Sequence, residues 1–440
     1  AAALTLATAL ASATSALAQA DTPQPGGKLV FVAPYGGSIT SLDITATPHT
    51  QDEIVAKAMN ASLYSWNPET NQPELELAES VEKSADGMTY TYKLRDATFH
   101  DGAKLTADDV LYSYNRLADP KRALPGAEQI LSIKGAAEVQ AGTADTISGL
   151  KKIDDRTVEI TMTSLSDPGW VLMSNYAPIY SKDYPEDQLA SKPNGLGPFK
   201  LANYVPGAKV ELEKFDGYYE EGKPYLDRLD IMLMEEAAAR DVAFRNGEID
   251  VNVLGPTQYA AYRAEPALAE NLLEVAEVYT RNIGFNPKVE AFKDKRVRQA
   301  INYAIDKDLI VTKLLKDKAY PAVSWLPVSS PAFDKDAKPY PFDPEKAKAL
   351  LAEAGVATPV NVDLQVATRP ESQQVAQMVQ AMAAEAGFNV NIIAKEYATL
   401  VSDAAEGNFQ TSAQGWSGRI DPDGSLHQFV TTGAGFNDSH

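Results

Sequence analysis

The sequence predicts an α/β chain built from several sheets. Three observations carry that expectation. Segments that alternate with period two and segments with apolar residues at helical spacing take turns along the chain. No internal repeat interrupts them. The 440 residues, 44% hydrophobic and 23% charged, suffice for roughly three domains or lobes with ordinary globular cores.

Residues 1–20 (AAALTLATALASATSALAQA) carry no charge and end in Ala18-Gln19-Ala20. That is the apolar region and cleavage site of a signal peptide, lacking its basic n-region. An Ala-rich amphipathic helix fits less well, because Thr and Ser fall on all faces. Asp21 is the expected mature N-terminus. Mass spectrometry of exported protein that still carries residues 1–20 would defeat this. Lys28–Val32 is the first apolar strand, closed by Pro34 and Gly36-Gly37. Thr89–Leu94 places Tyr90, Tyr92 and Leu94 on one face. Thr106 and Asp109 make a capping box, after which Val110, Tyr114 and Leu117 recur at helical spacing. Val158 with Ile160 and Met162, Val210 with Leu212, and Leu229 with Ile231 and Leu233 read as strands. A helix ends at Gly247 and gives way to Ile249, Val251 and Val253.

In the second half, Val297, Ala300, Ile301, Ala304 and Ile305 form one helical stripe. Asp343 and Pro344 open a helix that Gly355 closes. Val375, Val379, Met382 and Ala386 line the next, stopped by Gly387, before Phe388, Val390 and Ile392 return to strand. The Pro-rich stretch 321–344 carries Trp325, Leu326, Phe333 and Tyr340 and reads as a long surface excursion.

Composition excludes several functions. Forty Lys and Arg against sixty Asp and Glu leave a net charge of −20, a field that repels nucleic acid and anionic membranes. There is no cysteine, hence no disulfide, thiolate metal site, cysteine nucleophile or lipid-modified N-terminal cysteine. His49, His100, His427 and His440 are scattered, and no metal or cofactor is expected. His427 near Asp421 and Asp423 reads as a solvated loop in preference to a metal site. No stretch after the leader is apolar for long enough to span a bilayer. The catalytic templates fail one by one. Residues 217–224 (GYYEEGKP) lack the Ser/Thr of a P-loop and read as a turn. Gly415-Trp416-Ser417-Gly418 is one residue short of a nucleophile elbow. Gly195-Leu196-Gly197 lacks the third glycine of a dinucleotide fingerprint. An enzyme is not expected.

Six segments, in order, resemble the family-5 solute-binding proteins, the peptide/nickel/opine class that serves bacterial ABC importers. They are residues 92–102 (YKLRDATFHDG), 105–110 (LTADDV), 195–200 (GLGPFK), 222–227 (GKPYLD), 296–307 (RVRQAINYAIDK) and 343–355 (DPEKAKALLAEAG). The resemblance spans residues 27–440 and rests mostly on scaffold. It implies the two-lobed periplasmic-binding-protein fold of type II, with an extra domain inserted in lobe I. Lobe I would take 27–47 and 173–277, the insertion 48–172, and lobe II 278–440 without the closing C-terminal elements of the family. It implies a soluble periplasmic monomer that encloses a small solute by hinge closure and docks to an inner-membrane permease. The implied ligand is a short peptide or a peptide-like anion such as an opine. The alternatives are a nickel chelate, hydrolysis by an exported enzyme, and a chaperone-like role for the open cleft.

Arg369 stands in a segment, Ala367-Thr368-Arg369-Pro370, that resembles the one presenting an arginine to the ligand carboxylate. A guanidinium suits this because its fork donates two parallel charge-assisted bonds; the alternative is a surface arginine at a helix start. The loop 415–424 (GWSGRIDPDG) resembles the family's ligand loop. There Arg419 stands at or beside the acidic position that pairs with a peptide ammonium, and Asp421 is the candidate substitute. Arg419 could equally bridge to Asp421 or Asp423, and Trp416 could be a core anchor in place of a stacking platform. Arg281 is a further candidate, with a lobe-interface ion pair as its alternative. Tyr35, Gly37 and Ser38 follow the first strand, where α/β ligand loops lie, or form a plain Gly-Gly turn.

Overall fold

The computed structural model describes residues 23–33, 39–46, 50–70, 72–165, 167–173, 177–234, 236–275, 279–330, 332–417, 426 and 429–431. The leader expected at 1–20 and the turn 34–38 lie outside them. The chain divides into two compact units, Ala1–Val253 and Leu254–His440.

The first unit holds β1 (Lys28–Val32), β2 (Tyr64–Asn67), β3 (Gln72–Leu75), β4 (Ala78–Lys83), β5 (Thr89–Leu94), β6 (Leu150–Asp154), β7 (Thr157–Thr161), β8 (Phe199–Val205), β9 (Lys209–Lys214) and β10 (Arg228–Met232). They form a hairpin, β2-β3, and two four-stranded sheets ordered β4-β5-β7-β6 and β1-β10-β9-β8. Each sheet has its own core. Tyr90, Tyr92 and Leu94 are buried on one face of β5, and helix Ala107–Ala118 packs into the same core through Val110, Tyr114 and Leu117. The capping box is formed: the Asp109 carboxylate accepts from Thr106 N at 2.8 Å and from Thr106 Oγ1 at 2.7 Å. Val210, Leu212, Leu229 and Ile231 build the second core with Leu42, Val55 and Met59.

One strand expectation fails. Among residues 249–253 only Val251 makes a β-bridge, to Phe31, and Val251 and Val253 are exposed. The Asp250 side chain supplies the reason. Its Oδ2 accepts the Val30 N–H at 2.7 Å, where a continuing strand would offer a backbone carbonyl.

The Gly195-Leu196-Gly197 motif is a packing device. A Cβ on Gly195 would lie 1.9 Å from the Met59 carbonyl oxygen, and one on Gly197 would lie 2.5 Å from its carbonyl carbon. The same glycines clamp His100. Gly195 N–H donates to Nδ1 at 3.3 Å, and Nε2 faces the Gly197 carbonyl at 3.1 Å, so Nε2 carries the proton. Burial lowers the His100 pKa to about 4, against about 6.5 for a free histidine. The unfolded chain therefore binds this proton more tightly. The neutral ring's contribution is complete above about pH 6.5 and is lost as pH falls toward about 4. His100→Gln should remove roughly 1–3 kcal/mol of pH-dependent stability over that window, read as urea midpoints at either end. Parallel pH profiles for the two proteins would refute this.

The second unit holds β11 (Tyr279–Phe285), β12 (Val360–Ala367), β13 (Phe388–Lys395) and β14 (Thr411–Ser417), ordered β11-β14-β12-β13. Val360, Val362, Leu364 and Val366 are buried with Val297, Ala300 and Ile301 of helix Lys295–Ala304, Leu351 of helix Pro344–Ala354 and Val379 of helix Pro370–Glu385. The Pro344 helix begins and ends as its sequence predicts: Asp343 accepts from Lys346 N at 2.8 Å, and Gly355 takes φ 69°. The opposite face of β12 and β13 carries polar side chains over its first half. Asn389 donates to Asn361 at 2.8 Å and Asn391 to Asp363 at 2.9 Å, side by side across the parallel register. The Pro-rich excursion is pinned to this unit. Thr280 Oγ1 donates to the Trp325 carbonyl at 3.0 Å, and Tyr340 meets Tyr303 edge-on at 5.0 Å.

Candidate functional site

Four strand ends meet at one edge of the second unit's sheet. β12 runs parallel to both β13 and β14, with Leu364 opposite Thr411 and Gln365 opposite Ser412. β11 runs antiparallel to β14, with Arg281 opposite Gly415 and Tyr279 opposite Ser417. The carboxyl ends of β12, β13 and β14 and the start of β11 therefore share an edge. Ligands of α/β sheets sit outside such carboxyl ends.

Arg369 stands two residues past β12, as the N-cap of helix Pro370–Glu385. It is exposed, its charge opposes the positive end of the helix dipole, and no carboxylate pairs with it among the described residues. Its guanidinium lies 5.1 Å from the ring centre of Tyr397, the first residue of helix Tyr397–Glu406 after β13. Arg281, on β11, bonds the Glu371 carboxylate through Nη1 and lies 5.9 Å from the Tyr279 ring centre. That ring crosses the neighbouring strand, since a Cβ on Gly415 would lie 2.2 Å from the Tyr279 hydroxyl. Gly415 is thus required inside the strand, and Ser417 is the last residue of the same strand. Trp416 is half-buried and meets the Phe429 ring at 5.3 Å, which in turn meets Trp325 at 4.8 Å.

Three of the candidates read from the sequence, Arg281, Arg369 and Trp416, thus come to one sheet edge. Arg419, Asp421, Tyr35, Gly37 and Ser38 lie outside the described residues. Sequence reasoning missed Glu371, Tyr397 and Tyr279. Glu371 reads locally as an ordinary first-turn helix acid, and nothing in the local sequence pairs it with a residue ninety positions earlier. Among the described residues no group of three or more His, Asp or Glu side chains could hold a metal. No described helix is long and apolar enough to cross a membrane.

Residues 72–437 match the model of the bacterial extracellular solute-binding proteins, family 5. The chain is 31% identical over 370 residues to the dipeptide-binding protein of Escherichia coli, covering 79% of this chain and 68% of that protein. It is 30% identical over 377 residues to heme-binding protein A of Haemophilus influenzae, covering 80% and 67%. Among solved structures it is similar to the ABC transporter-associated periplasmic binding protein DppA of Helicobacter pylori in complex with the peptide STSA. The TM-score there is 0.78 at 25% identity, over 92% of this chain and 81% of that one.

Proposed function

The chain belongs to the bacterial extracellular solute-binding proteins of family 5, and on that premise we propose that it captures a short peptide or peptide-like anion for an ABC importer. It works in the periplasm as a monomer, performs no chemistry, and passes its solute to the membrane permease. Lobe I comprises 27–47 and 173–277, the inserted domain 48–172, and lobe II 278–440. The core around Tyr92 and Tyr114 draws most of its residues from 48–172, with Ala177, Ile179 and Leu196 joining from lobe I, which supports treating the insertion as a unit packed against lobe I.

One observation carries the ligand class: Arg369 holds an exposed guanidinium without a carboxylate partner among the described residues, on an aromatic ring at the carboxyl edge of β12. A ligand carboxylate completes it with two parallel charge-assisted bonds. Arg419 adds a second cation from the 415–424 loop, and Asp421 is a candidate partner for a ligand amine. Tyr35, Gly37 and Ser38 contribute from the loop after β1.

The test is a thermal-shift screen of di- and tripeptides, opines and nickel chelates, run beside an assay for product. Ligand at about 100 times its Kd should stabilise by about 2.7 kcal/mol, with no product formed. A chelate that shifts the transition when no peptide does would move the reading to nickel. Peptide or glycoside turnover would move it to a hydrolase.

A further inference from the structure

Two stretches far apart in sequence meet at a joint inside the first unit. One is the corner between β3 and β4, with the segment 95–100 bonded beside it through Arg95 N and the Leu77 carbonyl at 2.8 Å. The other is the loop 215–223 that follows β9. Thr98 Oγ1 donates to the Gly217 carbonyl at 3.4 Å, the Arg95 guanidinium lies 5.6 Å from the Tyr219 ring centre, and the His100 ring meets Phe215 edge-on at 5.0 Å.

Glu76 stands in this joint without a counter-ion. Its side chain is half-buried, and Oε2 accepts the Ser62 N–H at 2.8 Å. No Lys or Arg side chain pairs with it among the described residues. The nearby cations are committed elsewhere. Arg95 bonds the Glu76 backbone carbonyl through Nε and covers Tyr219. Lys223 donates to Glu220 Oε2 at 2.6 Å. Lys57, the last residue of helix Thr50–Lys57, is exposed and acts on Glu76 only through space. The remaining neighbours are acids and phenols. Glu74 on β3 accepts from Asn67 Nδ2 at 2.8 Å, and the loop brings Glu220, Tyr218 and Tyr219.

A carboxylate so placed is disfavoured chiefly by burial, with the like charges of Glu220 and Glu74 adding to it; the Ser62 N–H and Lys57 offset only part. Its pKa is raised to about 7, against about 4.3 for a free glutamate. The folded chain therefore binds this proton more tightly than the unfolded chain. The stabilisation is complete below about pH 4.3 and is lost as pH rises through about 7. His100 at the same joint works in the opposite sense, and its contribution is already complete at about pH 6.5. Once ionised, Glu76 is best served by water, and water reaches it when the loop lifts from the corner.

We propose that Glu76 is a proton-operated latch: protonated, it holds the loop 217–220 against the β3–β4 corner, and ionised, it lets the joint open, so the joint tightens in mild acid and loosens above neutral pH.

Two measurements on the full chain test this. Carboxyl-carbon NMR of the glutamate-labelled chain, with the Glu76 signal identified by its loss in Glu76→Gln, should give a midpoint of about 7. Hydrogen exchange, read as protection factors, should show the Ser62 amide and residues 217–220 losing protection roughly 100-fold between about pH 5 and pH 8, about tenfold per pH unit between the two pKa values. Strands β9 and β10 should stay protected. Glu76→Gln keeps the neutral joint, so its protection should stay level over the same range. Glu220→Gln removes a like charge and releases Lys223, so it should move the midpoint of loosening to lower pH; this arm needs exchange alone and decides the matter should Glu76→Gln fail to fold. A Glu76 midpoint in the ordinary glutamate range would overturn the proposal. So would joint protection that falls equally in wild type and Glu76→Gln, or loosening in Glu220→Gln at the wild-type midpoint.

Discussion

Arg116→Ala should lower the stability of the chain by about 3–5 kcal/mol, the cost of stripping one partner from a buried ion pair. Arg116 projects from helix Ala107–Ala118 with its side chain only 4% exposed. It meets Asp43 at 2.5 Å, Thr45 Oγ1 at 2.6 Å and Glu186 at 3.0 Å, and lies 5.3 Å from the Tyr180 ring centre. Burial disfavours the charged guanidinium, but Asp43, Tyr180 and Glu186 together outweigh it, so its pKa is raised. The network ties the segment after β1, the helix and the 180–186 stretch together. Removing the guanidinium leaves Asp43, itself buried, with Tyr180 Oη at 3.0 Å and the Thr45 hydroxyl at 2.6 Å but no cation. Urea titration of the full chain measures the loss. Adding Asp43→Ala to Arg116→Ala should recover part of it, since the uncompensated charge goes too. A loss below about 1 kcal/mol would place the pair with exposed ion pairs and refute the account.

Arg369→Ala should weaken ligand binding by about 2–5 kcal/mol, the range for truncating one partner of a desolvated charge pair, and mostly through faster dissociation. Arg369→Lys should not restore it, because an ammonium cannot form the bidentate fork. Calorimetric titration against the solute found by screening gives the affinity, and stopped-flow gives the dissociation rate. The Tyr397 ring makes a second, smaller contribution by holding the guanidinium in place, so Tyr397→Leu should weaken binding less than Arg369→Ala. Unchanged affinity in both Arg369→Ala and Arg419→Ala would reject an anionic ligand. Family membership would stand, and the search would move to neutral or cationic solutes.

Much of the fold was legible from local pattern. The β5 alternation, the Thr106–Asp109 cap, the Asp343-to-Gly355 helix and the Val297 stripe all depend on residues a few positions apart, and all appear where the sequence puts them. The reading failed at 249–253, where a side-chain carboxylate took the place of a backbone acceptor. It also passed over β14 as a strand, because Gly415 and Gln414 break the expected apolar alternation. That glycine serves the Tyr279 ring on the neighbouring strand, a demand visible only once the strands are paired.

The sequence by itself determined the α/β class, the caps and stops of the longer helices, the family resemblance and the candidacy of Arg281, Arg369 and Trp416. Period and capping act within a turn or a pleat, so a single stretch of chain carries them. Only the tertiary structure decided that β14 lies between β11 and β12, that Arg281 takes Glu371 as its partner, and that Arg369 rests on Tyr397. Strand order and register are set by which faces bury together across more than a hundred residues of chain, and no local spacing encodes that choice.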